Sequence, residues 1–194
     1  MSASTSGIAQ DDSIETLYER GVTDGLPVVP PTRERVERML ARAPWRRRDD
    51  LIGVLGPQTG RATVEKVAIN SVMAGCKPEY FPVVLAGVEG LCESALCAHG
   101  LSITLMSGAP LAIINGPIRN EIGLNSGHNA LGHGFRANAT IGRALRLVTM
   151  NIGGARPHEL TKATLGHPGQ YSFLVAENEE VSPWEPLHVE RGFK

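Results

Sequence analysis

The chain has 194 residues, of which 42% are hydrophobic and 20% are charged, so it can bury the core of one domain. Its net charge of −1 gives no basis for nucleic-acid binding, and no apolar run reaches the roughly 18 residues of a membrane helix. Neither partner is therefore expected. Three cysteines do not make a disulfide framework and the N-terminus lacks a secretory signal, which favours a cytoplasmic protein with free thiols.

The first half of the chain predicts helices around a single strand. A leader over residues 1–11, expected to be disordered, precedes a capping box formed by Asp12 and Glu15. Thr32 and Thr63 each stand directly before an apolar-periodic stretch, where a threonine can cap a helix. We expect helices over residues 12–20, 33–42, 64–74 and 79–95, and a strand over 51–55.

The second half combines short apolar runs with one long helix, in which Ile141, Leu145 and Val148 share a face. We expect strands over residues 101–106, 111–115 and 171–176, a loop over 116–134, a helix over 136–151, and irregular chain over 177–194. Strands and helices mix without a regular strand–helix–strand rhythm. Residues 12–194 therefore predict a single layered domain of the α+β or α/β class, with short strands and several helices.

The segment from Gly127 to Arg143 joins a loop rich in glycine, histidine and asparagine to the start of the long helix. Glycines let backbone N–H groups approach a ligand closely, and the first turn of a helix has free N–H groups and partial positive charge. Such a junction can hold an anion, so we predict a site for a small polar or anionic substrate. The residues assigned to substrate binding are Asn115, Asn125, Gly127, Gly132, Gly134, Arg136, Asn138, Arg143 and Glu177.

Two histidines of this loop, His128 and His133, are candidate general acid–base groups. The alternative for each is a histidine with a purely structural role. Together with Glu177 or Glu179 they would also suit a metal-dependent hydrolase, although their spacing differs from the i, i+4 pair of a helical metal site. The sequence therefore names neither a metal ligand set nor a cofactor.

Cys76 is the third candidate catalytic residue. It lies between two expected helices and directly before Lys77. A neighbouring cation and a helix N-terminus both stabilise a thiolate, so we expect a lowered pKa and the highest reactivity of the three thiols. Such a thiol suits a nucleophile or a redox group. The alternative is a small residue buried in a tight corner between helices.

Four long motifs begin at Asp24 (DGLPVVPP), Ala74 (AGCKPEYFPVVLA), Arg136 (RANATIGRA) and Ala176 (AENEEVSPWEPLHVERGF). In these motifs the chain resembles a poorly characterised bacterial family associated with UGSC-motif (seleno)proteins, some of which carry thiol–disulfide isomerase labels. The resemblance covers nearly the whole chain from Asp24. The chain has no Cys-x-x-Cys pair, which argues against a dithiol mechanism within this polypeptide. Longer members continue beyond the last motif, so the resemblance implies a split protein with a second subunit.

Three hypotheses of function follow. In the first, the chain is a subunit of a bacterial enzyme that transforms a small polar or anionic molecule, using Cys76 or a loop histidine. In the second, it is a non-catalytic partner that completes the active site of a thiol- or selenol-dependent reductase. The third is the metal-dependent hydrolase.

We also expect a homo- or hetero-oligomer with residues 181–194 as a docking segment, because free tails rarely hold many large apolar groups. Those groups are Trp184, Leu187, Val189 and Phe193.

Overall fold

The structure is a computed structural model that describes residues 13–193. The expected leader over 1–11, the capping residue Asp12 and the last residue, Lys194, lie outside the described residues. The α-helices are α1 (Ser13–Glu19), α2 (Arg33–Leu40), α3 (Val64–Ala74), α4 (Phe81–Cys92), α5 (Ala98–Ile103), α6 (Ile118–Glu121), α7 (Arg136–Asn151) and α8 (Leu187–Glu190). The strands are β1 (Leu51–Leu55), β2 (Gly60–Thr63), β3 (Ala112–Ile114) and β4 (Leu174–Ala176). Short 3-10 helices cover Pro78–Tyr80, Ser94–Leu96 and Pro168–Gln170.

Helices α3, α4 and α7 form the centre of the molecule, where each packs against the other two. Their inward faces are apolar, and Val67, Val84 and Ile141 are fully buried. Burying a side chain of this size contributes about 1.5–3 kcal/mol to stability. Helix α2 packs on α3, and strand β1 packs on α4. The core is therefore built mainly by helices, with the strands at its margins.

Both threonine caps are confirmed. The Oγ1 atom of Thr32 accepts from the backbone N–H of Arg35 at 3.4 Å, and that of Thr63 accepts from Lys66 at 3.4 Å. Each bond satisfies one of the N–H groups that a first helical turn leaves free. At the other end of α3, Gly75 has a φ of 89°, a left-handed conformation that glycine adopts without a steric penalty.

The described strands form two separate pairs. β1 and β2 are antiparallel, with a register shift between Leu51 and Gly53. β3 and β4 are parallel, with Ala112 opposite Leu174. The domain thus combines helices with one small antiparallel sheet and one small parallel sheet, so the α+β class is confirmed.

The strand expected over 101–106 is wrong, because this segment contributes to helix α5 and the bend after it. A short apolar run has no periodicity that separates a strand from a helix. Leu105 and Met106 of this run are exposed instead of paired in a sheet. Strand β2 was not expected, since only Ala62 is buried in it and no apolar alternation marks it.

Other elements are shorter or more regular than expected. The strand expected over 171–176 contains only β4, because a 3-10 turn occupies the residues just before Tyr171. The loop expected over 116–134 contains α6, and the irregular chain expected over 177–194 contains α8. No single described helix is long and apolar enough to cross a membrane, although one bent pair, Pro78–Cys92 with Ser94–Ile103 at 68°, has the length and composition.

Candidate functional site

Two asparagines attach the glycine-rich loop to the first turn of α7. The backbone N–H of Asn125 donates to Oδ1 of Asn138 at 2.9 Å, and Nδ2 of Asn138 donates back to the Asn125 carbonyl at 2.9 Å. Nδ2 of Asn125 also donates to the carbonyl of His128 at 2.8 Å. Asn138 is buried, so its amide would be costly to leave unpaired. Both amides are thus committed to holding the loop, not to a ligand.

The two loop histidines are exposed and do not line the pocket that contains Cys76. The loop is closed by Nδ2 of Asn129, which donates to the carbonyl of His133 at 3.0 Å. Gly127, Gly132 and Gly134 are exposed in the same loop. A catalytic role for His128 and His133 stays a prediction.

Arg143 forms an ion pair with a carboxylate of its own chain. Its Nε and Nη2 atoms donate to Asp24 Oδ2 and Oδ1 at 2.8 and 2.7 Å. Nη2 also reaches the carbonyls of Leu26 and Pro27 at 3.2 and 3.0 Å. The guanidinium expected to bind substrate is therefore occupied in holding residues 24–27 against α7.

Asn115 and Glu177 are brought together across the parallel strand pair. Each follows the end of its strand, β3 or β4, and the Asn115 side-chain amide donates to the Glu177 carboxylate. That carboxylate also accepts from the backbone N–H of Leu187 at 3.2 Å, at the start of α8. Glu177 therefore joins the C-terminal segment to the strand ends.

Arg119 is a buried charged residue that the sequence analysis missed. It is 4% exposed, and its Nη2 atom contacts Glu179 and Glu180 at 2.8 and 2.7 Å. These hydrogen bonds lower the pKa of Glu180 to about 2, and that of Glu179 is also lowered. The acidic residues after β4 indicated that a basic partner was needed. The position of that partner, Arg119, could not be deduced from the spacing of residues in the sequence.

The corner after α3 buries Cys76. Its Sγ atom donates to the carbonyl of Thr140 at 3.2 Å. Burial raises the pKa of the thiol to about 12, and the opposing effects of Arg136 and Arg143 are smaller. The expected lowered pKa is therefore wrong: the corner excludes water from the sulfur, and this outweighs the nearby cations. The thiol is protonated at neutral pH.

A pocket of about 220 Å³ lies beside this thiol, and four of its lining residues are cationic. We call it the cationic pocket; its polar lining residues are Arg35, Arg38, Cys76, Lys77 and Arg136. The expected anion-binding role of Arg136 is compatible with this placement. Its Nε and Nη2 atoms donate to the Gly75 carbonyl at 3.1 and 2.9 Å, which holds the guanidinium at the pocket wall.

Carboxylates do not neutralise this pocket in the described part of the chain, because none lines it. Glu79 lies nearby in sequence but accepts a hydrogen bond from Arg42 at 2.6 Å. Glu37 of helix α2 accepts one from Arg48 at 2.8 Å. Both carboxylates have their hydrogen-bond partners outside the pocket, although the charge of Glu79 also interacts with that of Lys77. Four cations against this one nearby carboxylate leave the pocket with a positive charge that an anion would neutralise.

Within residues 13–193, no group of three or more histidine, cysteine, aspartate or glutamate side chains is arranged to hold a metal ion. The three cysteines are unpaired, with Cys97 exposed and Cys92 half-buried.

Comparison of the chain with known protein families, with curated proteins and with solved structures finds no match.

Proposed function

We propose that this chain is an enzyme subunit that binds the anionic group of a small-molecule substrate in the cationic pocket. The observation that carries the proposal is the set of four cations around 220 Å³, with no carboxylate among the described lining residues. Guanidinium groups bind carboxylate and phosphate oxygens through paired N–H donors, and a lysine adds a point charge. The pocket volume suits one such group or a compact diacid.

The protonated state of Cys76 favours a site in which this chain binds the substrate and a second subunit carries the reactive group. A thiol with a pKa of about 12 supplies almost no thiolate at neutral pH. A bound anion would raise that pKa further, since like charges disfavour a second ionisation. We therefore propose that Cys76 is a neutral wall of the pocket and that a second polypeptide supplies the reactive group. This corresponds to the second hypothesis, a partner subunit that completes the active site of a thiol- or selenol-dependent reductase, and the split protein that the family resemblance implies would supply such a second polypeptide.

The unpaired thiols support a cytoplasmic location for this subunit. All three cysteines are free in the structure. Free thiols persist in a reducing compartment, so we propose that the protein acts in the cytoplasm.

Anion binding is tested with a matched pair of variants on helix α2. Arg38→Gln removes a cation from the pocket wall, whereas Arg33→Gln removes an exposed cation of the same helix that does not line the pocket. Binding of inorganic phosphate and of malonate is measured by calorimetry at low ionic strength. Losing one charge-assisted hydrogen bond of about 1.5 kcal/mol weakens affinity roughly tenfold.

The expected result is weaker binding in Arg38→Gln and unchanged binding in Arg33→Gln. An equal loss of anion affinity in the two variants would mean that only the overall charge of the chain matters. That result would contradict the assignment of the pocket as the binding site. Absence of binding of both anions to the unmodified chain would contradict the proposal itself.

A further inference from the structure

A second cavity, of about 680 Å³, lies between α4, α5, β3 and α7 and shares no lining residue with the cationic pocket. Cavities of this size hold small molecules such as cofactors and metabolites. Most of its wall is apolar, formed by residues that include Val83, Leu91, Leu101, Ile114, Leu145 and Phe173. The cavity therefore suits a ligand with an apolar body.

Gly90 lies at the solvent-exposed edge of this cavity. It lies in the last turns of α4, and a Cβ atom added to it would meet no heavy atom within 4 Å. A glycine inside a helix costs stability relative to alanine. Because Gly90 is exposed and its Cβ position is open, a larger side chain can be placed at this edge of the cavity without a clash inside the fold.

Arg146 is the charged residue of the cavity wall. Among residues 13–193 its guanidinium has no hydrogen bond and no ion pair, and Asp24 acts on it only at longer range. Both oxygens of Asp24 already accept hydrogen bonds from Arg143, at 2.8 and 2.7 Å. Arg146 is half-buried, and this burial lowers the pKa of its guanidinium.

The other polar groups of the wall have partners within the chain. Ser102 Oγ donates to the Ala98 carbonyl at 2.7 Å, and Thr149 Oγ1 donates to the Leu145 carbonyl at 2.7 Å. The Asn115 amide donates to Glu177. Gln170 Nε2 donates to the Gly108 carbonyl at 3.4 Å. Arg146 is therefore the charged group of the wall whose N–H donors have no partner among the described residues.

We propose that this cavity binds a small molecule with an apolar body and one carboxylate, and that the carboxylate pairs with Arg146. A single guanidinium matches a planar carboxylate through two parallel N–H donors, and one positive charge balances one negative charge. A phosphate monoester carries more than one negative charge at neutral pH, so part of its charge would remain uncompensated in the apolar cavity. This ligand site is independent of the proposed function of the cationic pocket.

The test uses the full chain and three ligands with the same ten-carbon body: decanoate, 1-decanol and decyl phosphate. Each is titrated below its micellar concentration, and binding is measured by calorimetry. Two variants probe the site: Arg146→Gln removes the charge, and Gly90→Leu adds a large side chain at the exposed edge of the cavity. Arg33→Gln, on the exposed face of α2, is the matched charge control.

We expect decanoate to bind at least tenfold more tightly than decanol or decyl phosphate. Arg146→Gln reduces decanoate affinity to that of decanol and leaves decanol unchanged, while Gly90→Leu weakens both and Arg33→Gln weakens neither. Arg146→Lys, which keeps the charge but loses the paired donors, gives an intermediate affinity and replaces Arg146→Gln if that variant does not fold.

Three outcomes would overturn the proposal. The first is no binding of decanoate to the unmodified chain, which would leave the cavity to an apolar segment of another protein. The second is equal decanoate affinity in the unmodified chain and in the Arg146 or Gly90 variants. The third is tighter binding of decyl phosphate, which would replace the carboxylate by a phosphate.

Discussion

Asp24 and Arg143 are 119 residues apart in the chain and form a two-contact ion pair between the segment before α2 and the middle of α7. The Asp24 side chain is 5% exposed and that of Arg143 is 16% exposed. The pair holds a proline-rich segment against α7, and the backbone N–H of Val29 in that segment donates to the Met73 carbonyl at 3.0 Å. That segment supplies Val29 to the wall of the cationic pocket, so the ion pair supports the proposed site indirectly.

Asp24→Asn is expected to destabilise the fold strongly. Removing one partner of a buried ion pair leaves an uncompensated charge and costs about 3 kcal/mol. Asp49→Asn is the matched control, because Asp49 pairs with Arg47 on the surface, where an ion pair contributes at most about 1 kcal/mol. Urea unfolding of the two variants gives the difference, and equal midpoints would show that the buried pair has no special role.

Cys76 is expected to be the slowest of the three thiols to react. Alkylation requires thiolate and access, and Cys76 is buried with a pKa raised to about 12, whereas Cys97 is exposed. Brief treatment of the native protein with iodoacetamide at neutral pH, followed by peptide mass analysis, should label Cys97 first. Faster labelling of Cys76 would restore it as the candidate nucleophile.

The same thiol makes stability depend on pH in the alkaline range. Above its ordinary value of 9.0 the unfolded chain loses the Cys76 proton, while the folded chain keeps it up to about pH 12. The unfolded state then binds fewer protons, so stability falls as pH rises through this window, by about 1.4 kcal/mol per pH unit. Unfolding between pH 8 and 10.5 should show a shallower fall in Cys76→Ala than in the unmodified chain. Parallel slopes would mean that the folded thiol ionises normally.

Local patterns predicted the helices well, because caps and apolar periodicity lie within a few residues of each other. The caps at Thr32 and Thr63 and the apolar face of α7 were all recognised in this way. The partners of charged groups were not predictable, because Arg143 meets Asp24 and Arg119 meets Glu180 across long stretches of chain. The pKa of Cys76 was misjudged for a related reason: sequence shows the neighbouring Lys77 but not the burial that outweighs it.

Arg119→Gln is expected to raise the pKa of Glu180 from about 2 toward the ordinary value of a glutamate, because the hydrogen bonds from the guanidinium are its largest cause. A lowered pKa contributes stability that is present above the ordinary value and is lost as pH falls toward 2. The acid unfolding transition should therefore change shape in the variant. Carboxyl NMR titration measures the pKa directly, and Arg191→Gln provides a surface control. An unchanged Glu180 titration would contradict the assignment.

The C-terminal segment is expected to be a contact surface between polypeptides. Val181, Trp184 and Phe193 are 74%, 79% and 70% exposed, although large apolar side chains gain most from burial. Tryptophan is enriched among the few residues that contribute most of the binding free energy at interfaces, where truncating one such residue costs about 2 kcal/mol or more. Trp184→Ser should therefore shift the protein toward a smaller species in sedimentation velocity. Trp45→Ser removes another exposed tryptophan and should leave the oligomeric state unchanged. A monomer both in the purified chain and in native cell extracts would contradict the prediction, because neither a second copy nor a different subunit would then cover this surface.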